Sequence, residues 1–274
     1  MGNNKEINFP NPSVAWTTLA ILFLAYISSF VDRMIISLLV EPIKADFQIS
    51  DTQISLLLGL SFAIFYCLAA LPIGRLVDIW SRKKIVTVGI TLWSVMTALC
   101  GLAQNYTQLF LARIGVGVGE ASLAPAAYSM LADSFPPKKL GLAMGVFTMG
   151  TAVGAGLALI IGGAIISFVT GENGENVSLF GIGFLSGWQW VFVLVGLPGL
   201  FIALLTSLIR EPDRIVIEEK KKLYGDISIP ISEVKKYFKK NSDFYIPHHF
   251  AVGCSNLALV GINSWVSVYF MRIH

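Results

Sequence analysis

The chain has 274 residues, of which 55% are hydrophobic and only 14% are charged. Soluble domains carry about 25% charged residues because their surfaces need polar groups, so this composition excludes a soluble globular protein. The three cysteines, Cys67, Cys100 and Cys254, stand in apolar runs without metal-ligand spacing, and we expect neither a disulfide nor a metal site. The composition therefore predicts an all-α membrane protein that crosses the bilayer several times.

Seven apolar runs are long enough to cross a membrane as helices. Their approximate limits are 14–40, 53–73, 84–102, 106–131, 140–169, 188–209 and 244–271. We divide the chain into a polar tail (1–13), a six-helix bundle (14–209), a charged linker (210–243) and a seventh span (244–274). The chain ends directly after this seventh span, and we hypothesise that it is a fragment of a longer protein.

Lysine and arginine are unevenly distributed between the two sides of these spans. Sixteen of the 20 lie on one side: one in the N-terminal tail, four between spans two and three, two between spans four and five, and nine in the linker. Because basic residues favour the cytoplasmic side, we predict a multi-pass protein of the cell (inner) membrane with a cytoplasmic N-terminus and linker. Within the linker, 231–240 predicts an amphipathic helix that either lies on the anionic leaflet or is a solvated connector.

Two spans carry an acid and a base inside the membrane: Asp32 and Arg33 in span one, and Arg113 and Glu120 in span four. A charge at the centre of a membrane helix costs about 2.5–3.5 kcal/mol on insertion scales, so such residues face a protein interior or a cavity and point to function. Since each pair lies on the first helix of a triplet, the two triplets predict the 3+3 inverted repeat of a secondary transporter.

The depth of these charges in the membrane predicts how they pair. Asp32 and Arg113 lie at about the same level when 1.5 Å is counted per residue. We therefore expect Asp32 to pair with Arg113, and Arg33 and Glu120 to face a cavity. The alternative is a buried ion-pair network that only locks the helices together, although desolvation makes such pairs poor stabilisers.

Small residues and a proline mark the expected helix contacts. Three glycines alternate in 115–119, and Gly150 and Gly154 form a GxxxG pattern in span five. Inside membrane helices this spacing predicts close packing rather than nucleotide binding. Pro125 predicts a break or a bend in the second half of span four.

The connector between spans two and three, GRLVDIWSRKK, resembles the loop signature of the major facilitator superfamily through Gly74, Leu76, Asp78, Arg82 and Lys83. Span four resembles the same family at Arg113, Gly117, Gly119 and Pro125. The resemblance implies the major facilitator fold, with an N-terminal six-helix bundle followed here by the first helix of a C-terminal bundle. It also implies that Gly74, Asp78 and Arg82 act in a cytoplasmic gate.

A closer resemblance is to the spinster-like branch of this superfamily. It is carried by the Asp-Arg pair of span one, the stretch 30–78, the Gly-Glu after Arg113 and the final MRIH. In animal relatives this branch implies alternating access and transport of lysophospholipids or phosphorylated sphingoid bases such as sphingosine-1-phosphate.

We therefore expect a monomeric, proton-coupled secondary active transporter of an amphipathic anionic or zwitterionic substrate. Arg33 would pair with a phosphate or carboxylate, and Glu120 would contact the substrate or exchange protons. Asp32 would be the leading proton-coupling acid, held by Arg113. Ordinary helix packing is the alternative to substrate contact for three span-seven residues: Asn256, Asn263 and Trp265. The expected partners are the lipid-like substrate, membrane lipids and a proton, without nucleic acid or another cofactor.

Other functions stay open at this point. A major facilitator transporter could carry a small organic anion or a drug, and a passive channel would conduct far faster than a transporter. A non-transporting sensor or scaffold would tolerate joint neutralisation of the intramembrane charges. An intramembrane enzyme is not expected, because the sequence contains no HExxH, GxSxG or paired-acid motif and His248 and His249 have no nearby carboxylate suited to a metal site.

Overall fold

A computed structural model of the chain describes residues 9–170, 185–215 and 230–273; within these ranges some side chains, including that of Asn263, are not described. The described ranges are helical and contain no β-strand. The helices are α1 (Pro12–Leu38), α2 (Val40–Phe47), α3 (Asp51–Ser55), α4 (Ser61–Ile79), α5 (Arg82–Cys100), α6 (Tyr106–Glu120), α7 (Leu123–Ser134), α8 (Pro137–Thr170), α9 (Gly187–Leu208), α10 (Ile231–Lys240) and α11 (Ser242–Ile273).

Within the described ranges, seven helical segments are long and apolar enough to cross a membrane, which confirms the predicted all-α membrane fold. Span two, Asp51–Ile79, consists of α3, a π-helical turn at Leu56–Leu60 and α4. Span four, Tyr106–Ser134, consists of α6 and α7. A π-helical turn of this kind is frequent at functional sites.

The chain divides into two compact units, Met1–Arg214 and Ile215–His274. In the first unit, α5 packs against both α6 and α9, α1 packs along α8, and α4 packs on α6. Its buried core includes Leu22 and Ile35 of α1 and Trp93 of α5, all with no exposed surface. The helices that carry the predicted intramembrane charges, α1 and α6, are therefore held by different neighbours.

Two of the glycines predicted to mediate helix packing lie at close helix crossings. A Cβ atom added to Gly117 would lie 2.7 Å from the carbonyl oxygen of Phe62 on α4, and one added to Gly154 would lie 2.7 Å from that of Ile27 on α1. Since such contacts are shorter than van der Waals contact, a larger residue would push the helices apart. The predicted packing role of these glycines is confirmed.

Span four is broken near its middle, just before the half in which Pro125 predicts a break or a bend. Helix α6 ends at Glu120 and α7 begins at Leu123. Pro125 lies in the first turn of α7, where its missing N–H is tolerated, and its ring excludes a helical carbonyl four residues earlier, at Ala121. The break therefore follows directly after Glu120, the acid that the sequence analysis predicts to be functional.

The second unit contains α10 and α11. Helix α10 covers Ile231–Lys240, the segment for which the sequence predicts an amphipathic helix. Its apolar side chains are exposed, from 40% for Val234 to 59% for Ile231. The Phe238 ring lies 4.9 Å from that of Tyr245, at the start of α11. Attachment of α10 to a membrane surface stays a prediction.

Candidate functional site

The four predicted intramembrane charges all lie in the first unit. Asp32, Arg113 and Glu120 are each only 1% exposed, whereas the side chain of Arg33 is 22% exposed. A buried charge is expensive unless a partner compensates for it. The partners of these four side chains therefore decide what the site can do.

Arg33 and Glu120 form the direct ion pair of the site. The Arg33 Nε–H donates to Glu120 Oε2 at 2.5 Å, and the hydroxyl of Ser29 donates to the same oxygen at 2.7 Å. Ser29 and Arg33 are four residues apart and so share one face of α1. That shared face points both donors at Glu120, and the pair connects α1 with α6.

The predicted pairing of Asp32 with Arg113 is wrong in this structure. Arg113 Nη1 donates instead to the backbone carbonyl of Asp32, at 3.4 Å. Among the described residues, no ion pair joins the two side chains, and Asp32 Oδ1 and Arg113 Nε have no hydrogen-bond partner. Equal depth in the membrane does not suffice to predict this ion pair, because the rotation of each helix about its axis also decides which side chains meet.

An aromatic cage surrounds the guanidinium of Arg33. Its Cζ lies 5.0 Å from the ring centre of Phe30, 4.8 Å from that of Phe62 and 5.0 Å from that of Tyr66. The Phe62 ring also lies 5.6 Å from Arg113 Cζ. Aromatic faces attract cations, and more strongly where water is excluded. The cage can therefore hold a cation in an apolar setting while one carboxylate neutralises it.

Sequence reasoning missed Ser29, Phe30 and Phe62 as members of this site. A signal was present, since Ser29 and Phe30 precede Arg33 by four and three residues, and Phe62 and Tyr66 are four residues apart on α4. This spacing places residues on one helix face. It does not say that the face of α4 lies against Arg33.

The predicted gate residue Arg82 is buried in a second polar cluster at one end of the bundle. Its guanidinium pairs with Asp133 and, at 3.3 Å, with Glu211. It also donates to the hydroxyl of Ser129 at 3.1 Å and to the carbonyl of Pro212 at 2.6 Å. Arg82 thus connects α5 with α7 and with the segment that follows α9.

Glu211 receives several donors in this cluster. Burial alone would raise the pKa of Glu211, but the Ser81 hydroxyl and the backbone N–H and guanidinium of Arg82 outweigh burial, so its pKa is lower than usual. Hydrogen bonds to the charged form of a carboxyl group favour that form. The ionised form of Glu211 is therefore the one that holds Ser81 and Arg82.

The other two predicted gate residues make different contacts. The backbone carbonyl of Asp78 accepts a hydrogen bond from Arg214, which also donates to the carbonyl of Val77 at 2.8 Å. Arg214 in this way binds the last carbonyls of α4. Gly74 has open space where a side chain would stand. The gating role of these residues stays a prediction.

The predicted residues of span seven belong to the second unit. Asn256 lies on α11 and donates from Nδ2 to the carbonyl of Val252 at 3.0 Å. The Trp265 ring lies 6.0 Å from Arg272 Cζ. The side chain of Asn263 is not among those that the structure describes. Their role in substrate binding stays a prediction, as does the proton-coupling role of Asp32.

A bundle of membrane-length helices around buried charges defines a polytopic helical membrane protein. The chain belongs to the Major Facilitator Superfamily, whose family model matches residues 22–274. Because the family consists of transporters, membership also confirms the expectation that the chain is not an enzyme.

Individual relatives agree with this assignment. A crystal structure of a bacterial homolog of the human lysosomal transporter spinster, inward-facing and unoccupied, superposes with a TM-score of 0.80 at 31% identity, over 97% of this chain and 57% of that one. Protein spinster homolog 1 of Xenopus laevis is 34% identical over 92% of this chain and 45% of its own length. An MFS-type efflux pump of Mycolicibacterium smegmatis is 31% identical over 72% of this chain and 42% of its own length.

These similarities confirm the resemblance to the spinster-like branch and the major facilitator fold. The chain spans about half the length of these three relatives, from 42% to 57%. The substrate and the coupling ion are therefore matters for a proposal.

Proposed function

We propose that the protein is a proton-coupled secondary active transporter of an amphipathic anionic or zwitterionic substrate, such as a lysophospholipid, working by alternating access. The observation that carries the proposal is the Arg33–Glu120 pair inside an aromatic cage. A permanent scaffold would gain little from such a pair, because apolar packing stabilises a bundle as well or better.

Arg33 is the proposed anion ligand. Its side chain is 22% exposed, and an arginine can bind a phosphate or a carboxylate through two parallel hydrogen bonds. Glu120 pairs with Arg33 in the structure. An anionic head group therefore has to replace Glu120 on Arg33, and Glu120 then takes a proton or contacts an ammonium group of the substrate.

The cage also suits an amphipathic substrate. Phe30, Phe62 and Tyr66 present apolar ring faces next to the charge. A lipid with a single phosphate and an alkyl chain needs both features side by side.

Asp32 is the proposed proton-coupling acid. Its carboxyl group is buried beside Arg113 without a direct ion pair among the described residues, so its charge is not fixed by a single partner. Asp32→Asn is expected to abolish the response of transport to a pH gradient and to leave exchange partly intact. An unchanged pH response would reject Asp32 as the proton site.

The proposal includes an orientation in the membrane. In the sequence, sixteen of the 20 lysines and arginines fall on the side of the spans that includes Arg82, which supports a cytoplasmic location of that end. Gly74, Asp78 and Arg82 would then act in the cytoplasmic gate. The polar cluster around Arg82 supports this role, because it joins three parts of the bundle at that end.

The test is uptake of a fluorescent lysophospholipid into proteoliposomes that contain the protein. Arg33→Ala and Glu120→Gln are expected to reduce uptake at least tenfold, since both touch the proposed substrate site. Lys138→Gln, at an exposed residue outside the site, is the control and should transport normally. Normal uptake in both site variants would contradict the assignment of Arg33 and Glu120.

A second arm of the test addresses the other functions. A transporter of a drug or a small organic anion, which the efflux pump relative favours, would move such a compound and not the lysophospholipid. A sensor or scaffold would move neither and would tolerate the double variant Arg33→Ala, Glu120→Gln. Currents far above transporter turnover would indicate a channel.

A further inference from the structure

An apolar groove of about 590 Å³ lies between α4, α5 and α6, and none of the residues of the Arg33 cage lines it. Its walls include Leu76 of α4, Val88 and Leu92 of α5 and Val118 of α6. Val88 is 66% exposed although it lies within a membrane-length helix. The groove therefore offers an apolar surface on a segment that crosses the bilayer.

One end of the groove is polar and positively charged. Lys84, in the first turn of α5, and Trp80, just after α4, both line it there. Lys84 is exposed, and no carboxylate in the described ranges lies within ion-pair distance of its ammonium group. The neighbouring Arg82, by contrast, is fully engaged by Asp133 and Glu211.

The order of these features along α5 matches the order of groups in a phospholipid. Lys84 and Leu92 are eight residues apart, or about 12 Å along the helix. The cation and the amphipathic ring of Trp80 lie at the end of the span, where head groups and interfacial tryptophans are found. The apolar part extends from there into the span, where acyl chains lie.

We propose that this groove binds one anionic phospholipid of the surrounding bilayer, with an acyl chain along Val88 and Leu92 and its phosphate on Lys84. Charge complementarity selects the occupant, because a cation without a carboxylate partner in the described part of the chain, at the mouth of an apolar groove, favours an amphiphile with an anionic head. A neutral acyl compound would leave Lys84 without a partner. The proposal does not depend on the transported substrate or on Arg33 and Glu120.

The experiment is native mass spectrometry of the purified chain in mild detergent, with palmitoyl-oleoyl phosphatidylglycerol as the probe and the phosphatidylcholine analogue as the comparison. The wild-type chain should retain one phosphatidylglycerol more tightly than phosphatidylcholine. Lys84→Gln should weaken phosphatidylglycerol binding roughly fivefold, the effect of one cation near a lipid head group. Lys84→Arg, which keeps the charge, should retain it.

A second variant tests the groove itself. Val88→Trp would fill the groove and should remove the tightly bound phosphatidylglycerol. Leu142→Trp is its control, since Leu142 is an apolar residue on α8, 61% exposed and outside the groove. Lys138→Gln removes a positive charge outside the groove and is therefore the control for Lys84→Gln. Because Lys84 and Val88 are exposed, their variants should fold, and an elution profile like that of the wild type checks this.

Three outcomes would overturn the proposal. One is equal binding of phosphatidylglycerol and phosphatidylcholine by the wild-type chain. Another is an equal loss for Lys138→Gln and Lys84→Gln, which would indicate general surface electrostatics. The third is wild-type phosphatidylglycerol binding in a folded Val88→Trp variant. If Lys84→Gln does not fold, Lys84→Met replaces it under the same criterion.

Discussion

Glu120 binds Arg33 through a single carboxylate oxygen, Oε2, while its other oxygen, Oε1, is buried with no hydrogen-bond partner among the described residues. The pair thus neutralises Arg33 without using all the acceptor capacity of Glu120. A pair arranged in this way can open without breaking a larger network.

Glu120→Gln is expected to tighten the binding of an anionic substrate while coupled transport is lost. The neutral amide keeps an acceptor for Ser29 and Arg33 but no longer competes as an anion for Arg33. Affinity for a lysophosphatidylglycerol should rise about tenfold, which corresponds to about 1.4 kcal/mol. Calorimetric titration checks this, with the zwitterionic lysophosphatidylcholine as the comparison. Weaker binding of the anionic probe would contradict competition between Glu120 and the substrate.

Phe62→Leu is expected to destabilise the bundle more than a leucine at another phenylalanine of α4. The Phe62 ring lies near both Arg33 and Arg113, and each cation–π contact contributes about 0.5–1 kcal/mol or more. The expected excess over the control Phe65→Leu is about 1–2 kcal/mol. Reversible unfolding in mixed micelles measures this difference in the free energy of unfolding. Equal losses for the two variants would show that the contacts of the Phe62 ring with the two arginines do not stabilise the bundle.

Gly117→Ala should lower the free energy of unfolding by about 1–3 kcal/mol, the usual effect of overpacking. The added methyl group would lie 2.7 Å from the Phe62 carbonyl, a backbone atom that cannot rotate away. Gly156→Ala on α8 is the matched control, because no atom lies within 4 Å of the position of its Cβ. Alanine also favours a helix there, so this variant should be neutral or slightly stabilised. Unfolding in mixed micelles compares the two.

Glu211 is expected to make the stability of the bundle sensitive to acid. Its pKa is lower in the folded chain than its usual value, so its contribution is present above the usual pKa of a glutamate and is lost as the pH falls through the lowered value. Thermal unfolding between neutral and acidic pH should show this loss, and Glu211→Gln should reduce it. Asp213→Asn, at the neighbouring exposed acid, serves as the control. An equal loss of stability in acid for wild type and Glu211→Gln would show that Glu211 is not the source of the acid sensitivity.

The number of spans and the position of the intramembrane charges could be predicted from the sequence. Both depend on local counts of apolar and charged residues, which the bilayer turns into strict requirements. The break after Glu120 was equally local, because Pro125 acts on the turn directly before it.

The partners of the charges could not be predicted from the sequence. Counting residues gives the depth of Asp32 and Arg113, but their contact also depends on the rotation and tilt of α1 and α6, which packing decides. The Arg33 cage depends in the same way on where Phe62 lies, and aromatic residues are common in membrane helices without any cation nearby. Glu211 was missed for a related reason, since its partner Ser81 lies 130 residues earlier.

The backbone carbonyl of Phe62 lies close to Gly117, and its ring lies near Arg33 and Arg113. The position of the ring is therefore set by the spacing of two backbones and does not depend on a side-chain rotamer alone. If the cage binds the substrate as proposed, this wall is preorganised, and little of the binding free energy is spent on ordering the protein. Under the proposed function, binding requires the Arg33–Glu120 pair to open, and the helices around it can stay in place.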